Sequence, residues 1–128
     1  MLFRKKKKMK QEKAKGLYNF EDDIFLVRPL EREYDSSFQI ENFIFDLDKN
    51  NNIHGIELIN ASKIFGVPKA FLKDMVSGKL EIVFSEKYIQ INIQIKTKVR
   101  NADNTSSLSI ERIRPDFITP TELHLAIA

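Results

Sequence analysis

Ile89, Ile91, Ile93 and Ile95 alternate with Gln90, Asn92, Gln94 and Lys96. This period of two belongs to a strand with one buried face, and it is the cleanest such run in the chain. Phe43, Phe45 and Leu47 alternate with Ile44, Asp46 and Asp48 in the same way until Asn50-Asn51-Asn52 interrupts them. Asn accepts left-handed backbone more readily than most non-glycine residues, so the spacing predicts a tight hairpin with Asn50 and Asn51 at its centre. In that register Lys49 faces Asn52, Leu47 faces His54, Asp46 faces Gly55, Phe45 faces Ile56 and Phe43 faces Leu58. Ile24–Val27, Ser37–Ile40 and Leu80–Phe84 read as shorter strands. Leu108 and Ile110, then Leu123, Leu125 and Ile127, extend the β pattern after a polar loop at 101–107.

Two helices interrupt the strands. Asn60 stands where a cap would open a short helix through Ala61-Ser62-Lys63-Ile64-Phe65, and Gly66 would end it. Pro68 suits a first helical position. Phe71, Leu72, Met75 and Val76 form an apolar stripe at helical spacing, with Gly78 as the stop, and core packing accounts for such a stripe. The helices thus occupy about 60–77. Strand hairpins, helix and a further hairpin in that order predict an α+β fold. It is a mostly antiparallel β-sheet of hairpins with one or two short helices packed on one face. The Gln/Asn side of the isoleucine strand then faces water or a partner subunit.

The chain has 128 residues, enough for one domain with its own core. Its formal charge of +3 is an average of unlike parts. Residues 1–15 carry eight cations against Glu12, a net of +7, while the other 113 residues carry 13 basic and 17 acidic groups, a net of −4. Residues 1–16 therefore read as a basic, mobile arm. Residues 17–128 read as a single α+β domain, in which 17–66 form the hairpin region and 67–128 a helix with further strands. Arg4, Lys5, Lys6, Lys7, Lys8 and Lys10 are the candidate nucleic-acid contacts, through phosphates rather than bases, since only Phe3 among them could stack. A solvated tail explains the same residues.

Cys is absent, which excludes disulfides, thiolate metal sites and a cysteine nucleophile. Only four Gly occur, too scattered for a glycine-rich phosphate loop. No apolar run has the length of a membrane span, so no membrane insertion is expected. The basic start is not followed by the apolar segment of a secretory signal, so the expected location is the cytoplasm.

The sharpest candidate chemistry lies in the Asn-rich hairpin. Asp46, Asp48, Asn50, Asn52 and Glu57 fall at positions 1, 3, 5, 7 and 12 of a calcium loop. Position 6 is Asn51 where such a loop needs Gly, and strands replace its flanking helices, so turn formation explains the residues better. Asp46, Asp48 and Glu57 remain the weak metal candidates, with a solvated acidic face as the plain alternative. His54 and His124 stand alone, without a second His or a Cys close in sequence. No nucleophile, base and oxyanion donor gather in the sequence, and no catalytic residue or cofactor is expected.

Tyr18-Asn19-Phe20-Glu21-Asp22-Asp23, followed by the apolar run Ile24–Val27, resembles the opening block of the domain-of-unknown-function family 2283. Asp46-Leu47-Asp48 through Gly55-Ile56-Glu57-Leu58-Ile59-Asn60-Ala61-Ser62 is similar to its second block. Asn19-Phe20 stands where the family has Asp-Pro, and Asn51 where it has a turn Gly. The resemblance covers residues 17–66, and the part from Pro68 onward resembles an extension seen in archaeal relatives. It implies a small β-rich cytoplasmic protein of unassigned activity, with an antitoxin-like role as one reading. The residues themselves point to a non-catalytic protein-interaction module that self-associates through a sheet edge or face. The alternatives are a nucleic-acid-associated protein using the Lys-rich arm, and a metal-binding protein or hydrolase at Asp46 and Glu57.

Overall fold

The structure is a computed structural model that describes residues 12–30, 35–118 and 120–127. In chain order its elements are β1 (Glu12–Asn19), β2 (Ile24–Pro29), β3 (Ser36–Ile40), β4 (Phe43–Leu47), β5 (Ile53–Ile59), α1 (Ala61–Phe65) and α2 (Lys69–Lys73). β6 (Met75–Phe84), β7 (Tyr88–Val99), β8 (Ala102–Ile113) and β9 (Thr121–Ile127) follow. The strands form one nine-stranded sheet in the order β3-β4-β5-β2-β1-β9-β6-β7-β8. Neighbouring strands are antiparallel except β1 and β9, which run parallel. The fold is thus the mostly antiparallel α+β arrangement that the patterning predicts, built as one mixed sheet.

The sheet is strongly curled. β4 and β6 stand five places apart in it, which on a flat sheet is roughly 24 Å. The rings of Phe45 on β4 and Phe84 on β6 nevertheless lie 5.6 Å apart. Phe38 of β3 lies 4.9 Å from Phe45 and 6.4 Å from Phe84, so an aromatic seam fills the inside of a half-barrel. Ile89, Ile91, Ile93 and Ile95 are each no more than 1% exposed on this inner side, and Gln90, Asn92 and Gln94 face out. Burying each isoleucine contributes about 1.5–3 kcal/mol. Among the described residues no helix is long and apolar enough to cross a membrane.

The hairpin register holds where apolar residues set it: Phe43 pairs with Leu58, Phe45 with Ile56 and Asp46 with Gly55. It departs at the tip, where a shift between Asp46 and Leu47 pairs Leu47 with Ile53 instead of His54. Asp48 N–H bonds to Asn52 O and Asn51 N–H to Asp48 O, so Asn51, at φ 61°, is the left-handed residue of a three-residue loop.

Three other expectations are corrected. The helix foreseen to about 77 ends at Lys73, and Met75 and Val76 enter β6. Pairing of β6 with both β7 and β9 outweighs a helical stripe of only four residues. Gly78 is therefore a strand residue; a Cβ there would lie 2.5 Å from the Gln94 carbonyl oxygen. The polar stretch 101–107 is the first half of β8, because Arg100 and Asn101 both take positive φ and turn the chain back along β7. Residues 12–16 of the expected arm lie in β1, with Ala14 buried and Lys13 and Lys15 facing out. Gly16 packs there where Ile127 and Met75 approach too closely for a side chain.

Thr97 continues the isoleucine row at 0% exposure, and its buried hydroxyl has no hydrogen-bond partner among the described residues. Replacing an unmet buried hydroxyl by a methyl group of similar shape removes its desolvation penalty. Thr97→Val is expected to stabilise the fold by about 1 kcal/mol in urea unfolding. A loss of stability would show that the hydroxyl has a partner.

Candidate functional site

Two stretches far apart in sequence meet at the turn between β1 and β2. Within the turn, the Asn19 side-chain carbonyl accepts from Asp22 N–H at 3.0 Å, and its amide donates to the Asp22 carboxylate at 3.1 Å. This local ring of bonds carries the chain to Asp23, which takes left-handed backbone at φ 54°, a conformation that Asp tolerates. Asp23 is 6% exposed and points at the start of α1.

Three hydrogen bonds hold its carboxylate there. Oδ1 accepts from the Tyr18 hydroxyl at 2.6 Å and from Ser62 N–H at 3.0 Å, and Oδ2 accepts from the Ser62 hydroxyl at 2.6 Å. Its backbone carbonyl accepts from Ala61 N–H at 2.9 Å. Asp23 is thus the cap of α1, brought in from 39 residues upstream. The expected cap, Asn60, makes no side-chain cap bond. A capping side chain works from extended backbone, and Asn60 is left-handed at φ 57°.

Burial by itself would raise the Asp23 carboxyl. The bonds from Ser62 and Tyr18, with the charge of Lys69 nearby, outweigh it and hold the carboxyl below its ordinary value. Burial, the bond to Asp23 and the charge of Asp23 push the Tyr18 hydroxyl above its ordinary range. A weakened base beside a weakened acid suits holding rather than proton transfer. The group is a polar clasp between the β1–β2 turn and the β5–α1 junction. Lys69 extends it from α2: its ammonium donates to Phe20 O at 3.2 Å, and the Lys69 and Lys73 ammonium groups sit 5.5 and 5.4 Å from the Phe20 ring centre.

The residues singled out in the hairpin have other places. Asp46 faces Gly55 as expected, but it is 3% exposed, so the solvated acidic face is not found at that position. A Cβ on Gly55 would lie 3.4 Å from Asp46 Oδ2 and 3.6 Å from Arg28 Cγ, so the glycine makes room for both chains. Glu57 is half-buried opposite Ile44. Asp48 Oδ1 accepts from Asn50 N–H and Asn52 N–H at 2.9 and 3.0 Å, which makes it a turn former. Among the described residues no three His, Asp or Glu side chains converge as a metal cage. His124 lies on the outer face of β9, 3.2 Å from Glu122 and 3.8 Å from Glu81. Arg4, Lys5, Lys6, Lys7, Lys8 and Lys10 lie outside the described residues.

Sequence reasoning did not assemble Tyr18, Asp23 and Ser62. The available signal was that all three belong to the two blocks that carry the family resemblance. A family model described as a protein of unknown function (DUF2283) matches residues 16–62, a span that contains Tyr18, Asp23 and Ser62. An uncharacterized protein of Methanocaldococcus jannaschii is 30% identical over 84 residues, covering 65% of this chain and 72% of that protein. A Methanosarcina mazei protein provisionally named as a hypoxanthine phosphoribosyltransferase is 28% identical over 95 residues, 73% of this chain and 77% of that one. No solved structure matches the chain.

Asp23→Asn is expected to destabilise the fold by about 2–3 kcal/mol and Tyr18→Phe by about 1 kcal/mol, measured by urea unfolding at neutral pH. Because the folded carboxyl is held low, its contribution is complete above the unfolded Asp value of about 3.9 and is lost as pH falls through the folded value. The advantage of the native chain over Asp23→Asn should therefore shrink in acid. An advantage that grew on acidification would contradict a carboxylate clasp.

Proposed function

The chain belongs to the DUF2283 family of proteins of unknown function, and we propose that it is a non-catalytic protein-interaction module that binds a second copy of itself through the open edge of its sheet. The observation that carries this reading is β8. It is a 12-residue strand at the end of the sheet, paired to β7 along its whole length without a bulge. On its other side no backbone pairs with it among the described residues.

Protein sheets blunt such edges with proline, lysine, bulges or very short strands. The run Ala-Asp-Asn-Thr-Ser-Ser-Leu-Ser-Ile-Glu-Arg-Ile has neither proline nor lysine, and its charges lie near its ends. The opposite edge, β3, has only five residues. A long edge without bulges and with an uncharged middle is the surface that strand addition uses, with main-chain hydrogen bonds supplying affinity. The same edge offered to a different chain would suit an antitoxin-like partner.

The name of the Methanosarcina relative brings up phosphoribosyl transfer. A backbone phosphate cradle draws on glycine-rich loops at helix starts. The glycines here lie at 16, 55 and 78 within strands and at 66 as the C-cap of α1.

One observation favours nucleic-acid association as a second reading. Lys13 and Lys15 are exposed on β1, and Lys15 lies directly opposite Arg28 on β2, so the cationic run continues onto the sheet. Facing like charges cost stability unless an anion lies near them. This reading expects salt-sensitive, sequence-indifferent binding to a DNA duplex that weakens when residues 1–11 are deleted.

Light scattering over a range of concentrations tests the leading reading. The native chain should run as a dimer or larger species. Thr105→Lys with Ser109→Lys, both at exposed positions on the edge, should shift it to monomer without loss of thermal stability. A native chain that is monomeric throughout would overturn it.

A further inference from the structure

The β8 edge carries more than an opportunity for pairing, because its sequence distinguishes one register from the others. Building on the self-association reading, we propose that two copies join β8 to β8 antiparallel about a two-fold axis at Ser109, extending the sheet across the dimer.

Residues opposite each other in an antiparallel ladder point to the same face. A strand pairing with its own copy must therefore have its axis at a residue, since an axis between two residues would set an inward side chain against an outward one. Along β8 the inward positions Ser106, Leu108 and Ile110 are half-buried, and Thr105, Ser107, Ser109 and Glu111 face out.

An axis at Ser107 would set Asp103 against Glu111 of the other copy, a facing pair of like charges. An axis at Leu108 sets Ile110 against Ser106, and one at Ile110 sets Leu108 against Arg112. An axis at Ser109 sets Leu108 against Ile110 twice, once on each side. It is the register among these that gives both half-buried aliphatics an aliphatic partner. On the outer face it places Glu111 opposite Ser107, so no like charges meet. Arg112 lies opposite Ser106 and keeps its two bonds to the Glu41 carboxylate, at 2.9 and 3.0 Å, within its own chain.

The occupant is a second copy because the edge is complementary to itself. Any copy of the chain supplies both Leu108 and Ile110 at the required spacing. Association through a two-fold also closes, using one edge from each copy and leaving no β8 edge free to propagate.

Cysteine pairing tests the register directly, since the native chain has no Cys. Opposite residues in such a ladder lie about 4.5–5.5 Å apart between Cα atoms, inside the span that a disulfide bridges. Ser109→Cys, an exposed position, should give mostly disulfide-linked dimer on a non-reducing gel under mild oxidation. Ser107→Cys should not link to itself, because its copies would stand four residues apart along the ladder, roughly 13 Å. Mixing Ser107→Cys with Glu111→Cys should give the mixed dimer.

If the native chain is a dimer by light scattering and Ser109→Cys fails to link, the register is overturned while self-association stands. Equal linking of Ser107→Cys and Ser109→Cys would overturn the register as well. A monomeric native chain would remove both.

Discussion

Among the described residues, three positions of parallel pairing join β1 to β9: Glu12 with Leu125, Lys13 with Ala126 and Ala14 with Ile127. They connect two antiparallel sets of strands, β3-β4-β5-β2-β1 on one side and β9-β6-β7-β8 on the other. Each set has one apolar face, and neither could bury it against water alone. The junction lets the two faces turn toward each other. The seam of Phe38, Phe45 and Phe84 and the isoleucine row of β7 both depend on that closure. It also explains the small residues near the joint, where Ala14 is buried and Gly16 sits against Ile127 and Met75.

The polar contacts are placed to hold that curled shape. The Tyr18–Asp23–Ser62 clasp ties the β1–β2 turn to the start of α1, so a helix of only five residues is capped from a distant turn. Such a short helix has little stability of its own and depends on tertiary support. The exposed pair between Glu41 and Arg112 bridges the β3–β4 turn to β8, elements at opposite ends of the strand order. The clasp lies within the family-matched residues, whereas β8 lies beyond them. The clasp in the part shared with the family holds the fold, and the surface proposed for association belongs to the rest of the chain.

The strands that were legible are those in which one face is buried and the other wet. The isoleucine strand and the Phe43–Leu58, Phe45–Ile56 register follow from a period of two, because a slip by one residue would expose the apolar side chains. Where burial is incomplete, the pattern fades. β8 alternates only weakly, since as an edge strand it has a single neighbour, and its Asn, Thr and Ser residues read as loop. Met75 and Val76 continue a helical stripe in sequence, yet both lie in β6, where Met75 pairs with Thr97 and Val76 sits at a register shift. Asp46 looks like surface by residue type and is buried because Gly55 opposite it leaves space.

The sequence by itself determined the class of the fold, the main hairpin, the position of the helices to within a few residues and the separation of a cationic start from an acidic body. These are local properties, set by side-chain period, turn chemistry and charge. Tertiary structure alone decided the parallel joint, the closure of the sheet, the end of α2 and the meeting of Tyr18, Asp23 and Ser62. Each of these depends on which strand lies beside which. That choice is made by the total apolar area buried over the whole chain, a sum that no short window contains.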